Sequence, residues 1–157
     1  MKTARRQILK AFPLLVWQRQ LLHAAESQAP YLGQGTMCGE VTQSTAYLQT
    51  RLTSATELDA NGDLPGANGV ACFEWSSKVD FSDAQRTMFQ AASDASDFIL
   101  RAELTSLKPN TAYYYRPVFG SSEASAKPGP ECSFKTLPSG ETDTPVKFIV
   151  GSCMNYN

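Results

Sequence analysis

Leu107-Lys108-Pro109-Asn110-Thr111-Ala112-Tyr113 is the stretch on which the fold turns. Pro109 sets φ for a tight turn, and Asn110 is a residue that turns favour. Leu107 is placed to plug the end of an apolar core just before the turn. Tyr113 begins the next strand, where its hydroxyl can reach back to the turn backbone and leave its ring inside. Such a corner makes sense only between two strands. On either side the pattern agrees. Residues 97–104 alternate, with Phe98, Leu100, Ala102 and Leu104 on one face and Arg101 and Glu103 on the other. Residues 112–119 are rich in aromatic side chains.

Working outward, the same period of two recurs. Residues 34–41 read as a first strand. In 44–53, Ala46, Leu48, Thr50 and Leu52 share one face, and Tyr47, Gln49 and Arg51 share the other. The segment 61–69 is dense in turn residues, with Asn61-Gly62 and Asn68-Gly69. Residues 70–76 form a strand with Ala71, Phe73 and Trp75 facing one way, and 131–137 form another. The stretch 82–90 fits either a short helix or an edge strand. Asp59, Asn61 and Asp63 imitate the start of a calcium loop, but Leu64 and Val70 stand where such a loop needs Gly and Glu, so the segment reads as a turn. About seven short strands with frequent turns predict an all-β, antiparallel sandwich.

Composition is compatible with that fold and narrows function. The chain has 157 residues, 42% hydrophobic and 18% charged, enough for one domain with a core. Fourteen Lys+Arg against 15 Asp+Glu leave a formal charge of −1, without the basic surplus that nucleic acid or an anionic membrane demands. No run of about 18 apolar residues is present, so no membrane-spanning helix is expected. The one histidine, His23, lies in the N-terminal segment and is badly placed for a catalytic triad. Cys38, Cys72 and Cys132 fall on three predicted strands and read as buried apolar thiols, with one disulfide as the alternative.

The two ends read differently from the middle. Arg5 and Arg6, followed by Gln7, Ile8, Leu9 and Lys10, resemble a twin-arginine export signal. An apolar stretch over 11–16 and the small residues Ser27 and Ala29 extend the likeness, although Gln18-Arg19-Gln20 interrupts it. Residues 1–30 are therefore expected to be an export address, with a basic amphipathic helix as the other reading. Residues 138–145 form a polar linker with Pro at both ends. The run Val146-Lys147-Phe148-Ile149-Val150 then resembles a strand buried on both faces, followed at once by Gly151-Ser152-Cys153-Met154-Asn155-Tyr156.

The corner has the L-x-P-x-T-x-Y form of fibronectin type III domains, carried here by Leu107, Pro109, Thr111 and Tyr113. Together with Gly39-Glu40-Val41, Tyr47 to Leu52, Gly62 to Gly66, Gly69 to Glu74 and the Ser152-Cys153-Met154-Asn155-Tyr156 tail, it resembles the N-terminal part of a PhoD-like alkaline phosphatase/phosphodiesterase. The resemblance implies an Ig/fibronectin-III-like sandwich over 31–137, a linker over 138–145, and over 146–157 an orphan strand that starts a missing α/β metallophosphoesterase domain. The twin-arginine-like segment implies a periplasmic, cell-surface or secreted protein, and the resemblance implies that its partner is that C-terminal catalytic domain. It further implies phosphate ester substrates and an iron and calcium centre for the full-length family. By position Cys153 matches an iron ligand, with Asn155 and Tyr156 as candidates to support it or to touch substrate. One thiolate cannot hold a hydrolytic metal. The 157-residue chain is thus expected to contain no catalytic residues, to need no cofactor and to be inactive alone. A free-standing fibronectin-like binding or adhesion module is the competing reading, disfavoured by the residual strand after the linker. An active small hydrolase is a third, and lacks a base, a metal shell and a nucleophile pair.

Overall fold

The computed structural model describes residues 29–140 together with Asp143, Pro145 and Val146. They form strands β1 (Thr36–Gly39), β2 (Ala46–Arg51), β3 (Gly69–Ser76), β4 (Gln85–Arg86), β5 (Gln90–Ala92), β6 (Ile99–Leu104), β7 (Ala112–Gly120), β8 (Lys127–Pro128) and β9 (Cys132–Lys135). Two antiparallel sheets result: β1-β2-β6, and a larger one centred on β3 and β7. The all-β sandwich is therefore what the alternation predicts.

In the smaller sheet the register places Leu48 opposite Ala102 and Thr50 opposite Leu100, so the apolar faces of β2 and β6 coincide. Ala46, Leu48, Leu100 and Leu104 are buried, and Tyr47, Arg101 and Glu103 point outward. In the larger sheet β3 and β7 pair from Val70 opposite Gly120 to Ser76 opposite Tyr114.

Each flank of that central pair is filled by two short strands in succession. β4 and β5 both lie along β3, and β8 and β9 both lie along β7. Between β4 and β5, the Phe73 N–H donates to the Thr87 hydroxyl at 2.9 Å, so a side chain continues the ladder where the strand is interrupted. The Thr87 N–H returns a bond to the Phe73 carbonyl. The ambiguous segment 82–90 is thus an edge, not a helix. The β8–β9 break lies opposite Pro117, which has no N–H to offer. The Gly129 N–H still finds the Pro117 carbonyl at 2.7 Å.

The interior divides in two. One cluster, at the corner end, gathers Leu48, Phe73, Leu104, Leu107, Tyr113 and Tyr115. The other gathers Leu52, Ala71, Ala92 and Leu100. β3 is buried on both faces: Ala71 and Phe73 point into the core, while Cys72, Glu74 and Ser76 on the other face are also covered. At the N-terminal end, Tyr31 and Thr53 exchange backbone bonds of 2.8 and 2.9 Å and tie the chain to the end of β2.

Candidate functional site

The corner places its four named residues around one knot of hydrogen bonds. Leu107 is buried, and its N–H donates to the Ser44 carbonyl at 2.9 Å. The Lys108 N–H donates to the Tyr113 hydroxyl at 2.8 Å. The Tyr113 ring stacks on Phe134 at 5.6 Å between centroids and meets Trp75 edge-on at 5.7 Å. The Thr111 hydroxyl donates to the Pro109 carbonyl at 2.9 Å.

One further residue, with no sequence signal of its own, completes the knot. The buried Thr136 hydroxyl donates to the Lys108 carbonyl at 2.6 Å and accepts the Thr111 N–H at 2.9 Å. The Asn110 N–H bonds the Leu137 carbonyl, and the Leu137 N–H bonds the Thr42 carbonyl, each at 3.0 Å. The corner therefore clamps the chain just where it leaves β9. A concavity of about 150 Å³ beside it is lined by Asn110, Leu137, Pro145 and Val146 among others. Removal of the hydroxyl in Tyr113→Phe strands the Lys108 N–H. A loss of about 1–3 kcal/mol is expected in a urea titration, and an unchanged midpoint would contradict this role.

At the same pole a concavity of about 370 Å³ is bordered by Trp75, Ser77, Asp83, Lys108, Thr111 and Tyr113. Its one carboxylate is already hydrogen-bonded. The Asp83 carboxylate accepts bonds from the hydroxyls of Ser76 and Ser77, which hold it below the usual carboxylate range. Held below that range, it is a weak proton acceptor.

A charged network lies on the outer face of the larger sheet. Glu74, 6% exposed, accepts from Arg86 Nε at 2.9 Å and Arg116 Nε at 2.6 Å. Arg116 also reaches Glu131 at 3.0 Å, and its guanidinium lies 4.1 Å from the centroid of the Phe81 ring. Burial pushes the Glu74 carboxyl up, but the two arginines outweigh it and leave it below its ordinary value. A carboxyl depressed in the folded state gives stability present above its unfolded pKa and lost as pH falls through the folded value. Asp59 and Asp80, held down chiefly by backbone N–H groups, add to the same acid loss. Glu74→Gln is expected to flatten the fall in stability below about pH 4.3, measured as the difference between variant and parent midpoints. Parallel profiles would count against the network.

Among the described residues the cysteines are free thiols: Cys72 is buried, Cys38 and Cys132 half-buried. Burial pushes Cys38 up to about 11 and raises Cys72 as well. Tyr115 rises through burial, the nearby Cys132 and Cys38 thiols and a hydrogen bond with Cys132. With their thiols pushed up, neither Cys38 nor Cys72 is poised as a nucleophile at neutral pH.

Cys153, Asn155 and Tyr156 lie outside the described residues. Among the described residues no three His, Cys, Asp or Glu side chains are grouped to share a metal. Nor, among them, does any buried side-chain N or O lack a partner and so mark a ligand position. The iron and calcium that the resemblance implies find no ligand set there.

The comparisons decide what this domain is. The profile of the PhoD-like phosphatase N-terminal domain matches residues 17–138. The chain belongs to that family. The match takes in the corner and the clamp at the end of β9, and starts within the segment read as an export address. Among solved structures, the chain is similar to "Structure of PhoD", with 24% identity and a TM-score of 0.58, covering 73% of this chain and 20% of that one. It thus spans about a fifth of the length of that protein. The likeness to the sensor domain of the anti-sigma factor RsgI4 in Pseudobacteroides cellulosolvens has 13% identity and a TM-score of 0.49, covering 73% of this chain and 98% of that one. The likeness to a fibronectin type III domain of human fibronectin type III domain containing protein 3 has 14% identity and a TM-score of 0.48, covering 75% and 94%. No curated protein sequence matches the chain. No helix among the described residues of this PhoD-like domain is long and apolar enough to cross a membrane.

Proposed function

We propose that this chain supplies the N-terminal accessory domain of an exported PhoD-like alkaline phosphatase/phosphodiesterase. In this reading residues 1–30 are the twin-arginine address, 31–137 the sandwich, 138–145 the linker and 146–157 the start of a metallophosphoesterase domain. The family match over 17–138 carries the reading. The clamp of Asn110, Thr136 and Leu137 supports it, because it anchors the sandwich's last strand at the point where the linker begins.

Phosphate ester hydrolysis belongs, in this reading, to the full-length protein. Bound iron and calcium would there polarise the phosphoryl oxygens and activate an oxygen nucleophile. Cys153 would be one iron ligand, with Asn155 and Tyr156 beside it. The sandwich would present that strand and take no part in the chemistry. Equilibration of the 157-residue chain with iron and calcium, followed by metal analysis, tests the assignment. No stoichiometric iron is expected, with or without Cys153→Ser. Stoichiometric iron that disappears in the variant would mean that this chain builds a centre of its own.

A further inference from the structure

The sequence contains two Asn-Gly pairs, Asn61-Gly62 and Asn68-Gly69. Both have the chemistry needed for loss of an amide: a side-chain carboxamide next to a backbone nitrogen that no Cβ shields. Their surroundings differ sharply.

Asn61 and Gly62 are exposed, and nothing lies within 4 Å of a Cβ built on Gly62. Gly62 adopts φ +82°, in the left-handed region. The hydrogen bonds that hold this turn are made within it. The Gly62 N–H donates to the Asp59 carbonyl at 3.0 Å, and the Asp59 N–H donates to the Asp63 carbonyl at 2.7 Å. The Asp59 carboxylate accepts the N–H groups of Asn61 and Asp63 at 2.8 and 2.9 Å. Opening the turn therefore requires only local unfolding. Asn68 is also exposed, but Gly69 is the first residue of β3, set opposite Ala92. A Cβ on it would lie 2.8 Å from the Gly120 carbonyl oxygen, 2.9 Å from Pro30 Cγ and 3.0 Å from Leu52 Cδ1. Rotation of its peptide nitrogen towards Asn68 would break the central strand.

We propose that Asn61 is a site of spontaneous deamidation in the folded protein, and that the start of β3 protects Asn68. Hydroxide removes the proton of the Gly62 peptide nitrogen. That nitrogen attacks Asn61 Cγ, the Cγ–Nδ2 bond breaks, and ammonia leaves to give a cyclic imide. Water then opens the ring. Cleavage between Cγ and the Gly62 nitrogen yields aspartate. Cleavage between the Asn61 carbonyl carbon and that nitrogen yields a β-linked isoaspartate. No electrons are exchanged. The new carboxylate lies two residues from both Asp59 and Asp63, and the β-linkage lengthens the backbone inside the turn. The damage stays local because Arg51 Nη1 holds the Leu64 carbonyl at 2.7 Å and the Ala67 N–H holds the Leu52 carbonyl at 3.0 Å.

Peptide mapping by mass spectrometry of the whole 157-residue chain, aged in mildly alkaline buffer, tests this. A parallel sample in denaturant gives the intrinsic rates. In the native protein the Asn61 peptide should convert at least about tenfold faster than the Asn68 peptide, with isoaspartate among its products. In denaturant the two rates should converge. Equal conversion in the native protein, or faster conversion at Asn68, would overturn the proposal. So would an unreacted Asn61 in native protein while the denatured sample reacts.

Discussion

Phe73→Ala is expected to remove about 3–5 kcal/mol of folding free energy. That is a large share of the roughly 5–15 kcal/mol that holds a domain of this size together. Phe73 is 1% exposed and sits in the middle of β3, the strand that β4, β5 and β7 all pair with. Its ring belongs to the cluster of Leu48, Leu104, Leu107, Tyr113 and Tyr115, drawn from both sheets. Truncation leaves a cavity that neither sheet can close without breaking register. Met88, in the gap between β4 and β5, is 86% exposed and serves as the contrast, because Met88→Ala should move stability by no more than about 0.5 kcal/mol. Denaturant titrations of the two variants check the pair. A Phe73→Ala loss under about 1 kcal/mol would mean that the corner cluster is not the core.

Replacement of Arg5 and Arg6 by lysine is expected to abolish export of a folded reporter fused behind residues 1–30. A receptor that reads paired guanidinium groups cannot be satisfied by two ammonium groups, which are point charges without the planar fork. The readout is reporter activity outside the cytoplasm against activity within it. Persistence of export in the double variant would contradict the reading of this segment and favour the amphipathic helix.

Much of the fold is legible in the sequence because its signals are local. The alternation in β2 and β6 places Leu48 and Leu100 inside and Tyr47 and Arg101 outside without knowledge of any partner. The corner is legible because Pro109 and Tyr113 each do something that few other residues can do there. The hidden parts depend on long-range partners. Glu74 is a charged residue buried on the outer face of β3, and Arg86 and Arg116, 12 and 42 positions away in sequence, make that tolerable. β8 is two residues long and contains Pro128, so period and propensity have nothing to act on. The edge over 82–90 is ambiguous because its strand pairing comes in two short pieces, with the Thr87 hydroxyl standing in for a backbone acceptor between them. Thr136 looks like any strand threonine until Lys108 and Thr111 are seen folded against it. The metal-ligand reading of Cys153 rests on resemblance alone, and lies outside the described residues.

In the proposed reading this chain carries the support of a phosphatase and not its chemistry. A hydrolytic metal centre needs several ligands and an open position for water, and Cys153 is one donor. The measurement that tests this most directly is turnover of p-nitrophenyl phosphate and of its bis-ester by the purified chain with iron and calcium present. No hydrolysis above a Cys153→Ser control is expected. Hydrolysis that vanishes in that control would contradict the account, and would place a working metal site on residues assigned here to structure.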